Sequence, residues 1–287
     1  MSSHPIVVTG AAGQLGRDVV IALGTAGRDA VALERADLDV TDRDAVHRTL
    51  SELGPAAVIN CGAYTAVDAC ETNEDTAFAV NEAGVRHLAE ACRSVGAHLV
   101  HVSTDYVFDG ELDRPYREDD ETGPRSVYGR SKLAGEVAAA EVLGDDVTIV
   151  RTSWVCGEHG NNMVKLVRRL AEGGTDLAFV SDQVGHPTFT ADLAPALVTL
   201  ADDRVGGVFH LTNDGAVSWY EFVADVLEAS GHDRSMVRPI TTAELDPPRP
   251  APRPANSVLD NVRWRELGHE PLRDYRAPLA ELVAALS

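Results

Sequence analysis

The chain reads as an α/β protein: a doubly wound parallel sheet with a smaller C-terminal α/β part. Three observations carry that reading. Short apolar, β-branched runs alternate with amphipathic helical patterns through the first 152 residues, and regular β-α-β alternation means a parallel sheet covered by helices on both faces. The first run leads directly into a glycine-rich turn. Beyond about residue 152 the alternation loosens and a proline-rich stretch interrupts it. At 287 residues and 44% hydrophobic content, the chain is long enough for one large core or two coupled ones.

The first strand is expected at Ile6-Val7-Val8, followed by Thr9-Gly10-Ala11-Ala12-Gly13-Gln14-Leu15-Gly16 and a helix over Arg17–Leu23. Strand, glycine turn and helix form the setting of a dinucleotide fingerprint, in which glycine brings the backbone close to a pyrophosphate at a helix N-terminus. The spacing is G-x-x-G-x-x-G, and taken alone it also suits a sharp turn with no ligand. Further strands are expected at Ala30–Leu33, Ala57–Asn60, Leu99–Ser103, Val147–Arg151, Leu177–Val180 and Val208–Leu211. The helical patterns between and after them are Arg43–Leu53, Glu74–Ser94, Tyr128–Val142, Met163–Ala171, Asp192–Leu200, Ser218–Ala229, Val262–Leu267 and Tyr275–Ala285. Ligands of such sheets lie beyond the carboxyl ends of the strands. The glycine turn, Glu34-Arg35, Cys61–Asp68 and Ser103–Asp109 are therefore expected to line one crevice. Residues 1–152, with a returning segment at about 188–230, are assigned to a nucleotide-binding domain. About 153–187 and 231–287 are assigned to a second, substrate-binding domain. Asp246–Pro254 holds five prolines and reads equally as a spacer or as a rigid loop over the cleft.

Composition excludes several function classes. A net charge of −20 opposes nucleic acid, which needs a basic face to neutralise phosphates, and it disfavours an anionic membrane surface. No apolar run has membrane-spanning length. The first strand begins by residue 6, too early for a signal peptide before it, so a cytoplasmic location is expected. Cys61, Cys70, Cys92 and Cys156 lack C-x-x-C spacing, which indicates neither a disulfide framework nor a zinc site. No histidine cluster has metal spacing: His98 and His101, three apart on a strand, point to opposite faces.

Lys132 is one of only two lysines against 23 arginines, and it follows Tyr128 by four residues in Ser126-Val127-Tyr128-Gly129-Arg130-Ser131-Lys132. At that spacing the two side chains share a helix face. A guanidinium does not reproduce a compact ammonium, so the retained lysine is informative. A carbonyl reduction places negative charge on the substrate oxygen, which needs a hydrogen-bond donor and then a proton. Tyrosine supplies both, but its free pKa near 10 suits neutral pH only when a neighbouring ammonium favours the phenolate. A hydroxyl at the end of the Leu99–Ser103 strand, in Ser103-Thr104-Asp105-Tyr106-Val107-Phe108, would face that phenol across the crevice.

Together these residues resemble the extended short-chain dehydrogenase/reductase superfamily, with its Rossmann-type fold. More specific strings are Thr65-Ala66-Val67-Asp68, Ser103–Phe108, Val127–Glu136, Arg151-Thr152-Ser153-Trp154-Val155, Asp182-Gln183-x-Gly185-x-Pro187-Thr188 and Arg253-Pro254-x-Asn256-Ser257-x-Leu259. Through them the chain resembles the dTDP-4-dehydrorhamnose reductase family along nearly its whole length.

The resemblance implies NAD(P)H-dependent reduction of the 4-keto group of dTDP-6-deoxy-L-lyxo-4-hexulose to dTDP-L-rhamnose. By it, Tyr128 protonates O4, Lys132 lowers the phenol's pKa and holds the nicotinamide ribose, and Thr104 polarises the carbonyl. Gly10, Gly13, Gln14, Leu15 and Gly16 would bind pyrophosphate, Glu34 or Arg35 the adenosine ribose, and Asp39 and Val40 the adenine. Ala63, Tyr64 and Thr65 would line the nicotinamide side, and Thr104, Asp105, Tyr128 and Trp154 would contact the sugar. A carboxylate after the second strand accepts ribose hydroxyls, whereas an arginine pairs with a 2′-phosphate. Glu34 and Arg35 are neighbours, so NADPH is expected first and NADH second. Some family members pair as homodimers around Mg²⁺ held by glutamates, but no motif here assigns those ligands. Two departures stand out: Ala69-Cys70 follows Asp68 where the family commonly carries a lysine first, and Cys156 lies near the expected sugar site. Two other readings stay open. One is a reductase of a different dTDP-4-keto-6-deoxyhexose. The other is a non-catalytic NAD(P)-binding regulatory subunit, against which the intact Thr104, Tyr128 and Lys132 argue.

Overall fold

The computed structural model describes residues 4–174 and 176–287, so residues 1–3 of the first expected domain lie outside the described residues. The chain begins β1 (Ile6–Thr9), α1 (Gln14–Thr25), β2 (Ala30–Leu33), α2 (Arg43–Leu53) and β3 (Ala57–Asn60). Two short helices follow, α3 (Val67–Cys70) and α4 (Glu74–Phe78), then a π-helical turn over Ala79–Ala83 that runs into α5 (Gly84–Val95). Next come β4 (His98–Thr104), α6 (Val127–Leu143) and β5 (Val147–Thr152). The second half holds β6 (Val155–Cys156), α7 (Met163–Glu172), β7 (Leu177–Val180), β8 (Val184–Gly185), β9 (Thr188–Phe189), α8 (Thr190–Asp203) and β10 (Gly207–His210). It closes with β11 (Val217–Ser218), α9 (Trp219–Ala229), β12 (Val237–Ile240), β13 (Asn256–Ser257), α10 (Val262–Glu266) and α11 (Arg276–Ala285).

Six strands form one parallel sheet in the order β10-β5-β4-β3-β1-β2. Strand side chains alternate between faces, and the two faces feed different cores. Ile6, Val8 and Ile59 pack with Leu15, Val19 and Leu197 of α1 and α8. Val7, Val58 and Leu99 pack with Val46, Leu50, Leu88 and Ala139 of α2, α5 and α6. Each such aliphatic side chain removed from water contributes about 1.5–3 kcal/mol. Strand order reverses at β1, whose neighbours are β2 and β3, and such a switch point opens a crevice at the carboxyl ends.

Two expectations are corrected here. Leu177–Val180 does form a strand, but outside the large sheet: it pairs in parallel with Val237–Ile240, a strand the pattern did not predict. The single helix expected over Glu74–Ser94 is interrupted by the π turn. The second core gathers α7, α9 and α11 around Val164, Val167, Phe222, Val223 and Leu279.

Candidate active site

The site is built where β1, β3 and β4 end. After β1, Gly10 adopts φ +69°, and a Cβ there would fall 2.6 Å from the Gly62 nitrogen. A Cβ on Gly16 would fall 2.3 Å from the Gly10 carbonyl. Only glycine permits this turn to lie against the end of β3. Gly13 begins α1 with no side-chain cap, which leaves first-turn N–H groups facing the crevice. Leu15 is buried in the core beneath. The Gln14 side chain points elsewhere than toward a phosphate: Nε2 donates to the Val155 carbonyl at 3.0 Å, and Oε1 accepts from Asn162 Nδ2 at 2.7 Å.

Helix α6 starts at Ser126, whose hydroxyl accepts from Gly129 N. Tyr128, Lys132 and Glu136 then recur every fourth residue, which puts them on one face. All three are buried. They meet the end of β4. The Thr104 hydroxyl neighbours the Tyr128 phenol and favours its ionised form. Burial outweighs that effect and, with the Asp105 charge, raises the phenol above its ordinary value. The Tyr106 ring packs edge-on against Tyr128 at 5.4 Å. Thr104 Oγ1 also donates to Asp105 Oδ1 at 2.8 Å. The Asp105 carboxyl is pushed up to about 6 by burial, against the hydroxyls of Ser257 and Thr104.

Lys132 differs from expectation. Its Nζ donates to the Val102 carbonyl at 2.7 Å and lies 3.3 Å from His101 Nε2. The ammonium thus turns toward β4, and the phenol stands raised, not lowered, because burial dominates its environment. Further along the stripe, Glu136 is held by Arg151, with Nη2 at 2.7 Å from Oε2, and by the Ser103 hydroxyl.

The remaining expected residues divide into two groups. Ala63, Tyr64 and Thr65 follow β3, and Tyr64 packs near Val127 and Tyr128. Trp154 follows β5 with φ +45°, a strained backbone for a large residue, and its ring stacks on Trp219 at 3.6 Å. Glu34, Arg35 and Asp39 are exposed beyond the edge strand β2, with Val40 half-buried beside them. Asp39 is held below its usual value by the Thr41 backbone N–H, then by the Thr41 hydroxyl.

Several site residues had not been singled out. Asn81 sits in the π turn, fully buried. Its Oδ1 accepts from Tyr64 N at 2.8 Å, and its Nδ2 donates to Tyr64 O and to Ser131 Oγ. From the π turn this side-chain amide ties the loop after β3 to α6. An asparagine inside a helical run, where it competes with the backbone, was the available signal. His101 also reaches Lys132 from below, with Asn60 behind it. The Asp246–Pro254 stretch is a docked loop and not a spacer: Arg253 bonds both Asp68 oxygens, at 2.7 and 2.9 Å, and Ala251 N donates to Asp68 at 3.2 Å.

A separate concavity of about 670 Å³ lies between α1, α8 and α11, lined by Ile21, Val198 and Leu282 among others. It contains none of Thr104, Tyr128 or Lys132, so the chemistry points to the strand-end crevice. Among the described residues no group of three or more His, Cys, Asp or Glu could hold a metal ion. No helix among them is long and apolar enough to cross a membrane.

The family model for the RmlD substrate binding domain matches residues 4–287. A dTDP-4-dehydrorhamnose reductase of Streptomyces griseus is 48% identical over 294 residues, covering 100% of this chain and 96% of the relative. The chain belongs to the dTDP-4-dehydrorhamnose reductase family. A second relative, the dTDP-4-keto-6-deoxy-D-glucose reductase of Streptomyces niveus, is 41% identical over 98% of this chain and 97% of its own length. The solved dTDP-4-dehydrorhamnose reductase of Bacillus anthracis, in complex with NADP, is 34% identical and superposes with a TM-score of 0.94 over 99% of each chain. The reductase family thus shares the whole of this architecture and not only its nucleotide-binding half.

Proposed function

We propose that this protein reduces the 4-keto group of dTDP-4-dehydro-L-rhamnose to dTDP-L-rhamnose with NADPH, NADH serving as the alternative. The observation that carries the reading is the buried Thr104–Tyr128–Lys132 cluster set beside an uncapped glycine turn. The turn fits a pyrophosphate, because Gly10 and Gly16 admit no Cβ and the N-terminus of α1 has no side-chain cap. Gly13, Gln14 and Leu15 would serve through their backbone, since the Gln14 side chain is engaged with Val155 and Asn162. Glu34 or Arg35 would meet the adenosine ribose or its 2′-phosphate, Asp39 and Val40 the adenine, and Ala63–Thr65 the nicotinamide. When bound, the nicotinamide cofactor supplies a hydride.

The chain's own groups do the rest. The Thr104 hydroxyl and Tyr128 phenol together present donors to the carbonyl oxygen as charge develops there. Tyr128 then gives up its proton, and a phenolate in so buried a place needs a cation; the Lys132 ammonium, one turn along α6, would supply it by turning from the Val102 carbonyl toward the phenol. Asp105 and Trp154 would orient the sugar. We assign the nucleotide part to 1–152 with a returning segment that starts near 188 and ends near 212, since α9 packs in the second core. The remainder forms the substrate part, apart from α10, whose Trp264 packs in the first core.

The test is NADPH oxidation with dTDP-4-keto-6-deoxyglucose, with and without a 3,5-epimerase, followed by NMR of the product. Turnover that requires the epimerase and yields dTDP-L-rhamnose supports the proposal. Turnover without it supports a second reading, reduction of another dTDP-4-keto-6-deoxyhexose, which the Streptomyces niveus relative favours. Tyr128→Phe should keep NADPH binding and lose about 10²–10⁴-fold in turnover. An active Phe variant would remove Tyr128 from the mechanism.

A further inference from the structure

Three buried side chains below the site form a hydrogen-bonded chain with a direction. Asn60 closes β3, His101 lies within β4, and Lys132 projects from α6; none is more than 2% exposed. The Gly62 backbone N–H can only donate, and it donates to Asn60 Oδ1 at 3.0 Å. The Thr9 hydroxyl donates to the same oxygen at 2.8 Å. The amide nitrogen of Asn60 is thereby turned onto His101 Nδ1, 3.0 Å away. An amide nitrogen has hydrogens and no usable lone pair, so Nδ1 is the acceptor. His101 is neutral, since burial and then the Lys132 charge hold the imidazole well below its usual value. Its one proton therefore sits on Nε2, which faces Lys132 Nζ at 3.3 Å. An ammonium has three hydrogens and no lone pair; an amine has a lone pair.

We propose that His101, its tautomer locked by Asn60, is a positioning residue for Lys132, and that its Nε2–H opposes the ammonium form of that lysine. The other groups around Nζ leave this opposition standing. The Val102 carbonyl, at 2.7 Å, accepts from either form. Glu136 favours the ammonium, but its carboxylate is shared with Arg151 and the Ser103 hydroxyl. The Cys61 thiol also faces Lys132, and burial pushes it up to about 12, so it is uncharged there. Lys132 is held down to about 8, by burial first, against Glu136.

The consequence for catalysis rests on the reductase reading above. A Lys132 that has lost its proton no longer stabilises the Tyr128 phenolate, so its titration sets the alkaline limb of the reduction. Asn60→Asp reverses the chain. A carboxylate at 60 accepts from Nδ1–H, the imidazole proton moves to Nδ1, and the bare Nε2 accepts from the ammonium. The Lys132 midpoint should rise by about one pH unit, with the added negative charge acting in the same sense.

The chain has only two lysines, so protein labelled with ¹³C at lysine Cε shows two signals, Lys132 and Lys165. Lys165 bonds the carbonyls of Glu158 and Gly160 and serves as the internal reference. We expect the Lys132 signal of Asn60→Asp to titrate higher than that of the wild type, in the protein alone and with NADPH added. The alkaline limb of turnover should move with it. A folded Asn60→Asp protein with an unmoved Lys132 midpoint overturns the proposal. Should that variant fail to fold, long-range ¹H–¹⁵N correlation of wild-type protein labelled in its histidine rings decides. A proton on Nε2 of His101 supports the proposal, and a proton on Nδ1 overturns it. A shifted lysine midpoint without any keto-sugar reduction would sink the reductase reading and leave the positioning role intact.

Discussion

Asp105 shows what one residue costs and contributes. It is 2% exposed, its Oδ1 takes the Thr104 hydroxyl, and among the described residues its Oδ2 has no partner at hydrogen-bonding geometry. Burial raises its carboxyl from 3.8 to about 6, more than Ser257 and Thr104 can offset. A raised acid binds its proton more tightly in the folded state, so its contribution to stability is present below about pH 4 and is lost as pH rises through about 6. Charged Asp105 therefore destabilises the fold at neutral pH by roughly 2–3 kcal/mol. Asp105→Asn should raise the unfolding temperature at pH 7.5 and leave it nearly unchanged at pH 4, as calorimetry at the two values would show. Equal shifts at both would mean that burial of the charge is not the cause. Under the proposed function the same variant binds the sugar less tightly, the usual exchange of stability against site chemistry. Asp105 stood out in the sequence as a strand-end residue, but its orphaned oxygen did not, because burial depends on what folds over it.

At the scale of elements, the β1–α1 turn and helix α6 were the most legible. Their signals are local: glycines where a Cβ would strike backbone, and a four-residue spacing. Gly10→Ala should destabilise the protein by about 1–3 kcal/mol and abolish NADPH binding together, because the new Cβ meets Gly62 backbone at a positive φ. Retained binding by fluorescence titration would count against the turn as the phosphate site. In α6, Glu136→Ala leaves Arg151 charged and 5% exposed, which should cost about 3–5 kcal/mol in denaturant unfolding. A loss under 1 kcal/mol would show that water reaches Arg151. The elements that were misread depend on distant partners. The π turn carries Asn81, whose side chain bonds Tyr64 and Ser131 across the site. Val237–Ile240 escaped notice because it is four residues long, with Arg238 and Pro239 exposed between its buried ends, and proline suits only such peripheral strands.

For the whole molecule, the decisive contacts cross between the large sheet and the second half. Gln14 reaches Val155 and Asn162, and Asp68 takes Arg253 and Ala251 from the proline-rich loop. Burial works to raise the Asp68 carboxyl, but the Arg253 hydrogen bonds, the Ala251 N–H and the Arg253 and Arg249 charges together hold it below its ordinary value. With Asp68 and Arg253 partly exposed, the pair should contribute only about 1 kcal/mol. Asp68→Ala should keep the fold, speed proteolytic cleavage within 246–254, and raise the sugar-nucleotide KM by roughly fivefold. Unchanged cleavage would mean that the loop is held by its other contacts.

The sequence alone pointed to the fold class through its alternating short elements, to the family through strings spread along nearly the whole chain, and to Thr104, Tyr128 and Lys132 as the expected catalytic set through a strand end and a four-residue spacing. Tertiary structure alone decided which way Lys132 turns, that Gln14 works between the two halves, that the proline-rich loop docks, and that Leu177–Val180 joins another sheet. It also placed Asn60, His101 and Asn81 around the site. Those outcomes depend on hydrogen-bond partners dozens of residues apart and on the loss of water around them, and neither is encoded in any local pattern.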